Sequence, residues 1–259
     1  MGPRQVKGFL SAVALLTRIP VRGSGRESGV LTRSVKWIPV VGGLVGLVIG
    51  LAYIAASSVM PPLLAAALAT GAGVILTGAL HEDGLADTMD GFGGGVGREE
   101  TMRIMKDPAS GVYGATAIVM SLVLRILSVS ILNSPLALVF LPAIHAMSRG
   151  GSIGLMALMR PASTAGLGVA HDGPSLRRQV TTGCLLAALI GVALVGWWAA
   201  AFAVLVALGA GAIGLMARRR IDGYTGDVLG AAQQVGEVTS LVLVAALASS
   251  GVYESVWWR

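Results

Sequence analysis

Charge is scarce in this chain. Acidic residues number 13 in 259, Lys and Arg 19, and charged residues of both signs make up only 12%. Cysteine is scarcer still: Cys184 is the only one, which excludes an intramolecular disulfide and any cysteine-based metal site. No Gly-Lys-Ser/Thr follows a glycine run, so there is no P-loop. No internal repeat and no separable soluble module stands out. No small-residue cleavage site precedes the basic stretch after Ile19, which argues against a cleaved signal peptide. The formal charge is +6, yet only Arg218-Arg219-Arg220 is dense. That triplet is too little for a nucleic-acid surface, so no nucleic-acid partner is expected.

What the chain does have is apolar length. Hydrophobic residues make up 54% and mean hydropathy is +0.78. A bilayer core is crossed by about 20 apolar residues in a helix. Runs of that order cover Trp37–Val59, Pro62–Leu80, Gly111–Leu132, Leu136–Met159, Val180–Trp197, Ala199–Met216 and Val238–Tyr253. The fifth and sixth are separate spans only if Gly196-Trp197-Trp198 forms a tight hairpin. Val6–Ile19, flanked by Arg4, Lys7 and Arg18, is shorter and suits an interfacial or re-entrant helix. The expected fold class is all-α, a polytopic integral membrane bundle of about seven spans in one domain over 1–259. Closely spaced glycines such as Gly42, Gly43, Gly46 and Gly50 predict close helix approach within it.

Alternating seven spans puts 1–36, 81–110, 160–179 and 217–237 on one side of the lipid bilayer. Those segments hold 16 of the 19 basic residues, whereas the loops near Met60-Pro61, Asn133-Ser134 and Gly196 are nearly charge-free. The basic side is therefore the expected cytoplasmic side of a bacterial inner membrane.

Four of the few acidic residues fall together, in His81-Glu82-Asp83-Gly84-Leu85-Ala86-Asp87-Thr88-Met89-Asp90. On a helix, Asp83, Asp87 and Asp90 share a face about 60° wide. Like charges stacked in this way repel unless a cation joins them. Hard divalent cations take oxygen ligands, and Mg²⁺ uses a few carboxylates together with waters and phosphates. The bland alternative is a solvated helix end. After the cluster, Gly91 to Gly97 predicts a flexible turn whose N–H groups, among them those of Gly93, Gly94 and Gly95, can approach an anion. Arg103 and Lys106 share a helix face suited to phosphate oxygens, although positive-inside anchoring explains them equally well. Asp107 either assists the cation or acts as a helix cap before Pro108.

A second polar cluster runs from Asp222 to Glu237. Thr225 has the place of an N-cap and Asp227 of a first-turn acid, while Asp227, Gln234 and Glu237 lead into the last span, where polar groups need partners. In the fourth span His145 and Arg149 share a face. Arg149 lies roughly 15 Å from the cytoplasmic end, a depth at which a charge needs a carboxylate or a wet cavity. Arg125 in the third span poses the same problem, with snorkelling outward as the alternative.

The block His81 to Gly91 with the glycine run after it resembles the signature of the cobalamin-5′-phosphate synthase (adenosylcobinamide-GDP ribazoletransferase) family. The likeness continues through Ile104-Met105-Lys106-Asp107, Gly111-Val112-Tyr113-Gly114-Ala115 and Gly223 to Ala231. Two departures are Pro108, where a serine is expected, and Asp222, where a glycine is usual. The resemblance implies a transferase acting late in cobalamin nucleotide-loop assembly. Its substrates would be adenosylcobinamide-GDP and α-ribazole or α-ribazole 5′-phosphate, its product adenosylcobalamin or its phosphate, and GMP would be released. On that reading Mg²⁺ is held by Asp83, Asp87, Asp90 and Asp227. Arg103 and Lys106 steady the pyrophosphate, and Asp90 or His81 accepts the hydroxyl proton. Glu82, Gly93, Gly94, Gly95, Asp107, Arg149, Thr225, Gln234 and Glu237 are assigned to substrate binding. A homo-oligomer is compatible with all of this.

Two other readings compete. Asp83-Gly84-Leu85-Ala86-Asp87 partly matches the opening of the CDP-alcohol phosphotransferase motif, but Asp87 replaces its arginine and the two later aspartates are missing. A cation transporter with an acidic mouth is the other, against which stand the interfacial position of the cluster and the lack of repeated halves.

Overall fold

In hydrocarbon every backbone N–H and C=O must be paired within the chain, so long apolar runs become helices. The computed structural model describes residues 2–21, 32–132, 134–162 and 174–250, and these are helical almost throughout. The expected Asn133 loop, most of the loop within 160–179 and the last residues of Val238–Tyr253 fall outside them. Helix α1 is Pro3–Leu16, and a short 3₁₀ turn, Val35–Trp37, leads into α2, Ile38–Ser57. There follow α3 (Pro62–Thr77), α4 (Leu80–Gly94), α5 (Gly97–Ile104), α6 (Val112–Ser130) and α7 (Ser134–Leu158). The last three are α8 (Pro174–Val195), α9 (Trp198–Arg220) and α10 (Gly226–Ser249).

Among the described residues, six helices are long and apolar enough to cross a membrane: α2, α6, α7, α8, α9 and α10. The seventh expected span exists only if α3 and α4 are counted as one unit, and that unit is bent by 86°. Leucines and isoleucines such as Leu51, Leu63, Ile75, Leu185, Leu189 and Leu208 are exposed on the outside, as lipid-facing positions require. Helix α7 is the axis of the bundle, with 83% of its apolar window buried, against 28% for α6 and for α8. The glycine spacing in α2 serves the expected close approach: a Cβ at Gly46 would lie 2.5 Å from the backbone oxygen of Leu141 in α7.

Gly196, at φ 58°, makes the tight turn that separates α8 from α9. Helix α1 seats Ala12 and Leu16 against Val41 of α2, with Phe9 edge-on to Trp37 at 5.7 Å. The largest shift from expectation is α10. It begins at Gly226 rather than near Val238, because Thr225 caps it. Gln234 and Glu237 consequently lie inside a span and not in a cytoplasmic loop.

Candidate active site

The site is created by a corner. Gly78 and Ala79 both have left-handed backbones, at φ 65° and 58°. They stop α3 and swing α4 by 86° across the end of the bundle, so α4 is not itself one of the six spans. There α4 crosses α10 at two glycines. A Cβ at Gly84 would lie 2.9 Å from the backbone oxygen and 3.0 Å from the Cα of Asp227. A Cβ at Gly230 would lie 3.5 Å from the Cα atoms of Gly84 and His81. At Gly230 an added Cβ would make ordinary contact, whereas at Gly84 only glycine permits so close a crossing. It sets Asp83 and Asp87 of α4 beside Asp227 of α10, 140 residues along the chain.

Electrostatics records that convergence. The Asp87 carboxyl is pushed up to about 7, first by burial and then by the charges of Asp83, Asp227 and Asp90. Among the described residues none of Asp83, Asp87 and Asp227 has a cationic partner within ion-pair distance. Thr225 acts as the expected N-cap, accepting the Val228 N–H at 3.2 Å, and its hydroxyl also donates to Asp227 Oδ2 at 3.2 Å. Among the described residues no trio of His, Cys, Asp or Glu is preassembled as a cage for an ion. Mg²⁺ does not require one. It is commonly held by one or two carboxylates, with substrate phosphates and water completing the shell, and this donor set of oxygens fits that pattern.

The loops beside these carboxylates are tied together. Arg98 donates to the carbonyls of Ile221 and Ala162 at 3.0 and 2.7 Å, and Arg220 to that of Gly95 at 2.9 Å. Arg160 pairs with Asp222, and the backbones of Arg160 and Ala162 bond to Tyr224. Asp222 has φ 56°, which is why glycine would suit this position.

Several expected site residues have other places. Asp90 accepts the N–H of Gly111 at 2.7 Å on one oxygen and of Gly114 at 2.8 Å on the other. It caps α6, so as base or metal ligand it would compete with its own helix. The glycine run is not a flexible turn: α4 continues to Gly94, and its amides are spent in the helix. Gly91 and Gly95 make room for Met105 and Thr101, and Gly93 for the Tyr113 ring, so these glycines pack α5 and α6 against α4. Gly94 has more space: a Cβ there would lie 3.6 Å from Ile104 Cδ1. Arg103 is exposed and, among the described residues, pairs only with Glu100 at 3.7 Å. Lys106 is exposed nearby. Asp107 accepts the Ala109 N–H at 2.9 Å and so closes a turn.

Arg125 does not snorkel. It is 4% exposed, and its guanidinium reaches Glu82 at 2.6 Å and Glu237 at 3.0 Å. His145 Nδ1 lies 3.1 Å and Arg149 3.8 Å from the same Glu237. Gln234 donates to Glu82 at 3.3 Å and accepts from Ser121 at 2.8 Å. Two carboxylates and two guanidiniums thus balance inside the bundle, joining α4, α6, α7 and α10. Glu82, Arg149, Gln234 and Glu237 belong to this network, which fixes the first turn of α4, rather than to a surface open to substrate. Sequence reasoning does not single out Arg125, Ser121, Gly84 or Gly230 as site residues. The available signal is a charge in an apolar run for Arg125, and a glycine within each polar motif for the crossing.

A family model described as cobalamin-5-phosphate synthase matches residues 8–245. An adenosylcobinamide-GDP ribazoletransferase of Rhizobium etli is 38% identical over 245 residues, covering 90% of this chain and 94% of the relative. That of Ralstonia nicotianae is 39% identical over 247 residues, covering 92% and 95%. That of Shewanella frigidimarina is 37% identical over 258 residues, covering 95% and 97%. No solved structure matches.

Proposed function

Because the chain belongs to the cobalamin-5-phosphate synthase family, we propose that it joins adenosylcobinamide-GDP to α-ribazole or α-ribazole 5′-phosphate. The names borne by its relatives support the donor and the ribazole acceptor. A ribazole hydroxyl oxygen forms a bond to the phosphorus that carries cobinamide. The bond from that phosphorus to the bridging oxygen breaks, GMP leaves with the electron pair, and the hydroxyl proton passes to a base. The observation that carries this reading is the Gly84–Gly230 crossing, which sets carboxylates from two distant segments at one mouth without a counter-charge.

Asp83, Asp87 and Asp227 would hold Mg²⁺, which when bound supplies positive charge for the oxygens of the transferred phosphoryl group and of the departing GMP. Arg103 and Lys106, exposed at the end of α5, are free to turn toward a bound pyrophosphate. His81, which lines the same cavity as Asp83 and Asp227, is the alternative proton acceptor, since both Asp90 oxygens are bonded. The basic loops favour an inner-membrane protein with this mouth toward the cytoplasm. Family membership takes precedence over the CDP-alcohol phosphotransferase and transporter readings.

The test is detergent-purified protein incubated with adenosylcobinamide-GDP, α-ribazole 5′-phosphate and Mg²⁺, followed by mass analysis. A cobamide with equimolar GMP is expected, and chelation of the metal should abolish it. Unchanged substrates in the presence of folded protein would refute the assignment.

A further inference from the structure

A groove of about 300 Å³ lies between α7, α8 and α9 and shares no lining residue with the candidate active site. Its walls include Gly150, Gly151 and Gly154 of α7, Ala187 of α8, and Ala207 and Gly211 of α9. Small residues ordinarily let membrane helices close on one another. Gly150 and Gly151 do so, because an added Cβ would collide with Ala187 or Val206. Gly154 and Gly211 do not: nothing lies within 4 Å of a Cβ built on either. The helices are parted there. The lining is apolar except for Cys184, whose Sγ already bonds the Gly150 carbonyl at 3.4 Å.

One end of the groove is charged. Leu158 borders both the groove and a second cavity of about 310 Å³, which is lined by Arg160, Leu176 and Arg177. Arg160 is held by Asp222, but Arg177 has no carboxylate within ion-pair distance among the described residues. Arg177 stands seven residues before Cys184, and the exposed Arg218 seven residues after Gly211. At that spacing both lie on the helix faces that line the groove. Arg218 likewise has no carboxylate within ion-pair distance among the described residues.

Length and charge select the occupant. From Met147 to Leu158 the groove runs roughly 16 Å at the helical rise, about half of a ~30 Å hydrocarbon core. It is therefore one leaflet deep, with its basic end at the headgroups. We propose that it seats one acyl chain of an anionic phospholipid, whose phosphate lies between Arg177 and Arg218. A neutral lipid gains nothing from that pair of guanidiniums. A whole helix, about 10 Å across, is too wide for so narrow a space. A second copy docked here about a two-fold axis along the membrane normal would also bring its own Arg177 and Arg218 to the same end, where like charges repel.

The experiment has two arms. In the first, the whole protein in detergent is stripped of lipid and titrated with phosphatidylglycerol or phosphatidylcholine of matched chains, and bound lipid is counted by native mass spectrometry. One phosphatidylglycerol is expected to bind at least ~5-fold more tightly than phosphatidylcholine. Gly154→Leu adds bulk where a Cβ meets nothing, and should weaken that binding at least ~5-fold, as should Arg177→Gln combined with Arg218→Gln. Gly71→Leu in α3, where an added Cβ is equally free, should leave it unchanged. Glycerol phosphate should not compete, which separates a lipid from a free phosphate. Equal binding of the two lipids, undiminished binding by Gly154→Leu, or competition by glycerol phosphate overturns the proposal. The second arm needs no variant: wild-type protein is photolabelled by phosphatidylglycerol bearing a diazirine on one acyl chain, and the modified peptides are sequenced. Label is expected within residues 147–158, 184–188 or 203–211. Label spread evenly over the outward faces of the other helices shows a lipid annulus only, and overturns it.

Discussion

Gly84 and Asp227 touch through their backbones: a Cβ on Gly84 would lie 2.9 Å from the Asp227 carbonyl oxygen. That contact joins two sequence blocks separated by a bundle's worth of chain. Because the obstacle is backbone rather than the tip of a flexible side chain, Gly84→Ala must push α4 away from α10. We predict at least a ~10-fold fall in turnover for Gly84→Ala. Gly71→Ala in α3, where nothing lies within 4 Å of the added carbon, should leave turnover unchanged. Equal activity of the two variants would show that the crossing does not set the site.

Asp90 gives a prediction of a different kind. With both oxygens on backbone amides of α6, its main task is capping. Asp90→Asn should lower stability by about 1 kcal/mol and leave the Mg²⁺ midpoint of the reaction in place. A shifted midpoint would return Asp90 to the metal ligands.

Much of this arrangement is legible in the sequence, and the limits have physical causes. Apolar length locates most spans, and the scarcity of acids singles out Asp83, Asp87 and Asp227. Periodicity cannot show the corner at Gly78 and Ala79, because a left-handed alanine carries no sequence signal. The glycine run suggests a loop, whereas its glycines are close-packing positions for Thr101, Met105 and Tyr113. Arg125 reads as a residue that reaches outward because its partners, Glu82 and Glu237, are 43 positions before it and 112 after it. Only the folded bundle brings them within 3.0 Å.

The buried network should be costly to unbalance. Arg125→Met leaves Glu82 and Glu237 without their shared guanidinium. The expected destabilisation is about 3 kcal/mol, seen as a lower thermal midpoint in detergent. Adding Glu82→Gln should recover part of the loss, because one of the two unpaired charges is then removed. A double variant less stable than Arg125→Met would contradict charge balance as the purpose of the network.

The pH dependence follows from Asp87. Its carboxyl is raised from 3.8 to about 7, first by burial and then by Asp83, Asp227 and Asp90. The folded state therefore holds a proton that the unfolded chain has released. This contribution to metal-free stability is full below about pH 4 and is lost as pH rises through about 7. With EDTA present, the thermal midpoint of wild type should fall more between pH 5 and pH 8 than that of Asp87→Asn. Mg²⁺ competes with the same proton, so its apparent affinity should rise over the upper part of that range. Parallel curves for the two proteins would remove Asp87 from the coupled cluster.

The most direct test of a shared site on α4 and α10 is a Mg²⁺ titration of reaction rate in Asp83→Asn, Asp227→Asn and the double variant. Each single change should cost at least ~100-fold in turnover, about 2.7 kcal/mol, and raise the Mg²⁺ midpoint. The double variant should be little worse than the poorer single one, since residues acting on one ion are not additive. Fully multiplicative losses with an unchanged midpoint for Asp227→Asn would contradict the account.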